Sequence, residues 1–537
     1  MTEPASFLFE NVHAFTADPR RPSAEAVAVR ADRIVFAGSR AQARAFAGAR
    51  TRVVDGGGGT LLPGFIDCHF HLLYGALNLD GMQLEPAASY EQLAVIVRAY
   101  AAGHPEDAWL AGTGARYQLG PGGTPLDRHA LDALVADRPI YINAYDGHTS
   151  WGNSVALQRA GLFHGGNTGP NSEIVVDAAG EATGELREPG AYQALSDLVP
   201  KPDAARRRAL VQQALHLTAG FGVTSVHNMD NSGDQAGLYA ALEAAGELTC
   251  RIYLAYSVSP QTRPAAFLEE VLPLQRSLTG GRLRAGAVKF FIDGVIESYT
   301  GMLVDPYADA PSTRGAGNYD PETYRRLVTE ADRLGLQIFT HSVGDRGVRT
   351  VLDAYEHAAR VNAPHERRHR VEHIELIHPD DVARFRSLGV VASMQPLHAP
   401  ARVDETDIWP LRVGRGRWPL SFAWRTLRAA GATLVFGSDW PVVTQNPLKA
   451  LGHAVGRQPW EPGMPDQRQT LTEALLSYTR DAARSEFQEH QKGSIKEGYL
   501  ADLVLLPADL FTLEPAAIAG LQPVLTMLDG QVVFEGA

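Results

Sequence analysis

The feature that most constrains this chain is a repeated unit. A short, nearly continuous apolar run rich in β-branched and aromatic residues is followed by a stretch with helical periodicity. The runs are Leu61 to Asp67, Val223 to His227, Arg251 to Ser257, Ala285 to Ile292, Leu336 to His341, Arg370 to Ile374, Val390 to Gln395 and Thr433 to Ser438. Such runs suit strands covered on both faces, the condition of a parallel sheet. Between them Tyr324, Leu327, Val328, Ala331 and Leu334 recur at helical spacing before Gly335, and Val348, Val351, Leu352, Tyr355 and Ala359 repeat the pattern. Eight such units favour an α/β fold of the closed kind, a (β/α)8 TIM barrel, over an open doubly wound sheet. No Gly-rich dinucleotide turn follows the first run, which disfavours an NAD-type dehydrogenase.

A chain of 537 residues is too long for one ordinary compact domain. Its two ends resemble each other and differ from the middle. Phe7 to Phe15, Ala26 to Arg30, Arg33 to Gly38 and Arg52 to Val54 read as strands at one end. Ala501 to Leu506, Val524 to Leu528 and Gln531 to Phe534, around an Asp529-Gly530 hairpin turn, do so at the other. Neither set suffices for a stable sheet alone. The economical reading is a small β-sandwich domain from residues 1–60 plus 490–537; two unrelated edge hairpins are the alternative. The barrel then spans 61–489, and the long interval 72–222 reads as a subdomain inserted between barrel strands one and two, over the barrel mouth. It holds its own strand, Pro139 to Ala144, ahead of Tyr145–Trp151.

The charge balance, 49 Lys+Arg against 61 Asp+Glu, disfavours a nucleic-acid or anionic-membrane partner. Two cysteines, Cys68 and Cys250, exclude a disulfide framework and a Cys₄ zinc site. The start, Met1-Thr2-Glu3-Pro4, shows no secretory signal, and no apolar run is long enough to span a membrane. The expectation is a cytoplasmic protein.

Barrel chemistry sits at the C-terminal ends of the strands. The first run ends in Asp67-Cys68-His69-Phe70-His71, and residues two apart in an extended segment point the same way, so His69 and His71 can grip one cation. Lys289 lies inside Ala287–Ile292, where a charged ammonium is costly; a desolvated amine can react with CO₂ to give a carbamate able to bridge two metals. His341 and His373 end the fifth and sixth runs, and Asp439 follows the eighth. Each alone has a bland reading: a satisfied core imidazole, a lysine reaching solvent, a helix-capping carboxylate. Together, five strand ends of eight carry a metal-type residue, which coincidence does not explain.

This constellation resembles the amidohydrolase superfamily, and its flanking segments resemble the amidohydrolase-3 (YtcJ-like) subgroup. Those segments are Asp146-Gly147-His148, Thr183–Glu188, His341–Arg346, Arg370–Ile374, Gly493–Ile495 and Gly498–Leu503. One departure is Asp293-Gly294-Val295-Ile296-Glu297-Ser298, where many relatives carry Ser-Leu-Gly after Asp-Gly. The resemblance implies a metal-dependent hydrolase of C–N bonds, similar to N-substituted formamide deformylases, with a small-molecule amide substrate and often a homodimer. It implies one or two divalent ions, zinc foremost. With two, His69, His71 and Asp439 would hold the first, His341 and His373 the second, and carbamylated Lys289 would bridge them. Asp439 would serve as general base and then general acid. His148 is expected to contact substrate and to stabilise an oxyanion, and Trp151, Arg187, Gln395 and Trp440 to form pocket walls. The alternatives are ring opening, deamination or decarboxylation by the same superfamily, or a catalytically inert binding member.

Overall fold

The computed structural model describes residues 3–169, 171–230, 234–404 and 407–536. Eight strands pair in chain order, every pair parallel. They are β1 (Phe65–Phe70), β2 (Val223–Asn228), β3 (Arg251–Ser257), β4 (Leu283–Phe291), β5 (Gln337–Ser342), β6 (Arg370–His373), β7 (Val391–Met394) and β8 (Thr433–Phe436). Every residue of β1, β2, β5, β6 and β7 is buried, as the continuous apolar runs require. The sheet curls until its ends meet just beyond β1 and β8. Asp439 N–H donates to His69 O at 2.7 Å, and His71 N–H donates to Trp440 O at 3.0 Å. At the seam Gly437 leaves no room for a side chain: a Cβ there would lie 2.5 Å from His69 N.

The outer helices follow from the periodicity. Helix Pro321–Arg333 starts on Asp320, whose carboxylate accepts the N–H groups of Glu322 and Thr323, and it buries Tyr324, Leu327, Val328 and Ala331. Helix Asp345–Val361 buries Val348, Val351, Leu352 and Tyr355, but Ala358 rather than Ala359 completes its inner face, three residues after Tyr355.

The first predicted run needs correction. Leu61 to Asp67 is not one strand but serves two sheets. Thr60–Pro63 pairs with Leu503–Leu505 and with Phe7–Phe15, and the barrel strand begins only after Gly64. Hydrophobic pattern is the same on both sides of that break, so it cannot reveal a change of partner.

Both chain ends enter one eight-stranded sheet. Its order is Gln531–Glu535, Leu525–Leu528, Leu503–Leu505, Thr60–Pro63, Phe7–Phe15, Ser23–Arg30 and Arg33–Gly38, with Arg52–Asp55 also beside Phe7–Phe15. The hairpin turn has positive φ at both central residues, Asp529 (51°) and Gly530 (70°), as a type I′ turn demands. Arg251, at the start of β3, ties this sheet to the barrel floor. Its guanidinium grips Asp502 through two hydrogen bonds of 2.7 and 2.9 Å and also reaches Asp529. The interval 72–222 holds a six-stranded sheet with its own core, including Leu93, Val97, Leu110, Leu131, Ile142 and Trp151. Among the described residues no helix is long and apolar enough to cross a membrane.

Removing one partner of a buried ion pair strands the other's charge, at a cost of about 3–5 kcal/mol. Arg251→Ala is therefore expected to lower the thermal unfolding midpoint by several degrees in calorimetry. An unchanged midpoint would mean that this clamp does not hold the terminal sheet.

Candidate metal centre and active site

The barrel seam brings the first donors together. Asp439 Oδ1 lies 3.4 Å from His69 Nε2 and 3.3 Å from His71 Nε2. Its other oxygen lies 3.8 Å from His373 Nδ1 and 3.8 Å from His398 Nε2. Two groups thus have ligand atoms within 4.8 Å of one another: His69, His71 and Asp439, and His373, His398 and Asp439. Asp439 belongs to both. Its backbone (φ 60°) and that of His373 (φ 74°) occupy the left-handed region that non-glycine residues rarely adopt. Such strain persists where the surroundings over-determine it, characteristically at functional sites.

Lys289, fully buried on β4, places Nζ 3.2 Å from His69 Nε2. The His341 ring sits 4.5 Å from that of His373, centroid to centroid. The structure therefore gathers His69, His71, Lys289, His341, His373 and Asp439 at one end of the barrel. His398 is the residue that sequence reasoning missed. It ends the short turn Pro396–His398 after β7, outside any strand. It joins His373 and Asp439, whereas His341, expected to share a metal with His373, turns Nε2 toward Gly294 O at 3.1 Å.

A second layer fixes the imidazoles. His69 Nδ1 is 2.7 Å from Glu372 Oε2, and Arg370 Nε donates to Glu372 Oε1 at 2.8 Å. His71 Nδ1 is 3.0 Å from Asp230 Oδ1, and Asp230 Oδ2 accepts Gln235 Nε2 at 2.8 Å. His373 Nδ1 is 2.8 Å from Gln395 Oε1. For His69 and His71 an acceptor on Nδ1 sets the tautomer and leaves Nε2 toward Asp439, whereas His373 turns the same Nδ1 to both Gln395 and Asp439. Burial holds His69, His341 and His373 well below the usual imidazole range, so they are neutral donors. Burial lowers the Lys289 amine to about 8. For Asp439 burial acts upward but is outweighed by His69, His71 and His398, and the carboxylate stays well below its usual range. Burial acts against a charge on His71, but Asp230 and Asp439 prevail and raise it to about 9, so a divalent cation there would take the place of its proton. Imidazoles around an ionised carboxylate are the donor set of such a cation. The buried Nε2 of His398 makes no hydrogen bond, which fits the same assignment.

A cavity of about 1300 Å³ opens above these donors. His69, His71, His341, His373 and Asp439 line its floor, and Tyr74, Trp109, Tyr141, His148, Glu188, Tyr192 and Tyr319 are among its walls. His148 sits over the floor, its ring 5.3 Å from that of His341. Burial acts against a charge on it, but Glu188 and Asp146 prevail and raise it to about 9. The other expected wall residues lie elsewhere. Trp151 is taken up by the insert core, edge-on to Tyr117 at 5.6 Å. Arg187 pairs with Glu185 and Glu173, each at 2.7 Å. Trp440, turned away by the backbone at Asp439, stacks on Phe70 at 5.1 Å. Gln395 stands behind His373. None of these four is among the residues lining the cavity.

The sequence pattern of the amidohydrolase family matches residues 52–534. The chain belongs to the amidohydrolase family. It is 30% identical to the putative amidohydrolase YtcJ of Bacillus subtilis, over 90% of this chain and 91% of that one. It is 27% identical to the N-substituted formamide deformylase of Arthrobacter pascens, over 100% and 99%. Among solved structures, an uncharacterized metal-dependent hydrolase from Pyrococcus furiosus superposes with a TM-score of 0.70 at 25% identity, covering 93% of this chain and 98% of that one. As a member of this family the protein is a hydrolytic enzyme acting on carbon–nitrogen bonds.

Removing an acceptor behind a ligating imidazole typically costs 10–100-fold in metal affinity. Glu372→Gln is expected to weaken zinc binding by about that factor in a chelator-competition titration. Equal affinities in variant and wild type would show that His69 does not ligate.

Proposed function

We propose that this amidohydrolase cleaves an N-substituted amide, with formamides as the first class to test. The observation that carries this reading is Asp439, whose two oxygens face two separate donor groups at the floor of one cavity. The donors suit zinc: His69, His71 and Asp439 would hold one ion, and His373 and His398, with His341 beside them, a second. Lys289 is the candidate bridge. Its buried amine would add to the carbon of CO₂, forming an N–C bond and releasing a proton, and the product is a carbamate. Paired divalent ions, when bound, polarise a substrate carbonyl and bring a water molecule's pKa toward neutrality.

The chain's own groups divide the remaining work. Asp439 accepts a proton from the attacking water on its carboxylate and returns it to the departing nitrogen. His148, raised against the effect of burial to about 9 by Glu188 and Asp146, would donate from Nε2 to the carbonyl oxygen as negative charge grows there. Tyr74, Trp109, Tyr141, Tyr192 and Tyr319 offer apolar faces to the substrate's nitrogen substituent and limit water above the floor. The likeness to the Arthrobacter deformylase supports formamides. To the same proposal belong the reading of 1–60 plus 490–537 as a domain apart from the barrel of 61–489, the homodimer and the cytoplasmic location.

Elemental analysis of wild type and Lys289→Ala tests the centre. About two zinc equivalents per wild-type chain are expected, with a fall in the variant. One equivalent in both proteins would remove Lys289 from the site, and none after reconstitution would overturn the metal-dependent reading.

A further inference from the structure

Glu188 has three properties that its neighbours do not share. It joins strand Ala182–Arg187 to helix Pro189–Ser196 with φ 64° and ψ 159°, a backbone region that is essentially glycine's alone. Its carboxylate is buried, with 3% of the residue exposed. Both carboxylate oxygens are engaged, one on each side of the boundary between insert and barrel. Oε2 is 2.9 Å from His148 Nδ1, within the insert, while Oε1 accepts the Thr300 hydroxyl at 2.6 Å, from the barrel loop that follows β4. The Glu188 N–H closes the contact by donating to His148 O at 2.7 Å.

The rest of the loop is fixed in the same way. Asp146 Oδ1 accepts the His148 N–H at 3.0 Å, and the Tyr192 hydroxyl donates to Gly147 O at 3.0 Å. With Nδ1 committed to Glu188, Nε2 is the His148 nitrogen left for a ligand in the cavity. A strained backbone and a buried charge are both costly, and here both serve to hold one ring over the donors.

We propose that Glu188 is a positioning residue: it holds His148 Nε2 toward the substrate's place in the cavity and, through Thr300, locks the insert's loop to the barrel in that pose. This rests on the hydrolase reading given above. Positioning differs from mere structural support because its effect runs through His148 alone.

The test is a double-variant cycle on zinc-loaded enzyme, with 4-nitroformanilide as the amide probe and 4-nitroaniline release as the readout. Glu188→Gln and His148→Ala are each expected to lower kcat about 10²–10³-fold, the cost of one oxyanion donor. KM should move by less than about threefold, because the lost contact forms only in the transition state. The double variant should be no slower than His148→Ala, since residues acting as one unit do not add. Thr300→Val, which keeps both members of the pair, should cost about tenfold, the worth of one hydrogen bond. A readout independent of turnover is the ¹⁵N-histidine spectrum. A slowly exchanging Nδ1 proton on His148 is expected in wild type and lost in Glu188→Gln, with the other ring signals kept. Losses that multiply in the double variant, or an unchanged His148 proton in Glu188→Gln, would overturn the proposal. Should the wild type leave this probe and other amides untouched, the substrate reading fails, while the spectrum still decides the clamp.

Discussion

The fold and the site both depend on the seam where the barrel closes. Asp67 Oδ1 accepts the N–H of His69 at 3.1 Å, from the first strand, and that of Ser438 at 2.9 Å, just past the eighth. One carboxylate therefore joins the two ends of the sheet at the level where the metal-type residues leave it. Burial raises this carboxyl to about 7, and its second oxygen is buried without a hydrogen bond. That cost is borne at a position where Gly437 admits no side chain and where His69, His71 and Asp439 are set side by side. Shifting the register of either strand by one residue would point these side chains away from each other, so the closure specifies the centre.

Beneath the donors lies a ring of compensated charge. Arg370 is completely buried, yet its guanidinium meets Glu372, the Ser393 hydroxyl, His227 and the carbonyl of Cys68. Glu486 stands within 3.2 Å of His227 and 2.6 Å of Lys492. An unpaired ion at this depth would be prohibitive, and its partners make it tolerable. Through Glu372 this layer fixes His69, and through β6 it reaches His373. Stability and ligand geometry thus share the same residues.

Much of this was legible in the sequence because a barrel writes its site at strand ends. His341 and His373 each close a buried apolar run, and Asp439 lies just beyond another, so the run locates the residue. The same logic fails where a donor leaves the strand. His398 sits in a turn after Gln395-Pro396, and nothing local distinguishes it from a surface histidine. Trp440 misled for the opposite reason. It adjoins Asp439 in sequence, but the left-handed backbone at Asp439 sends it into packing against Phe70. The aromatic walls, Tyr74, Trp109, Tyr192 and Tyr319, come from segments far apart in the chain. Only the docking of the insert on the barrel brings them to one cavity. The split of Leu61 to Asp67 between two sheets was hidden because both partners demand buried apolar residues.

The most direct test of the central claim is X-ray absorption at the zinc edge of the reconstituted protein. Ligation by His69, His71, His373, His398 and Asp439 predicts a first shell of nitrogen and oxygen at about 2.0–2.2 Å, with the outer-shell scattering of several imidazole rings and no sulfur at about 2.3 Å. A shell of oxygen alone, without imidazole scattering, would place the ion elsewhere and contradict the assignment of this site.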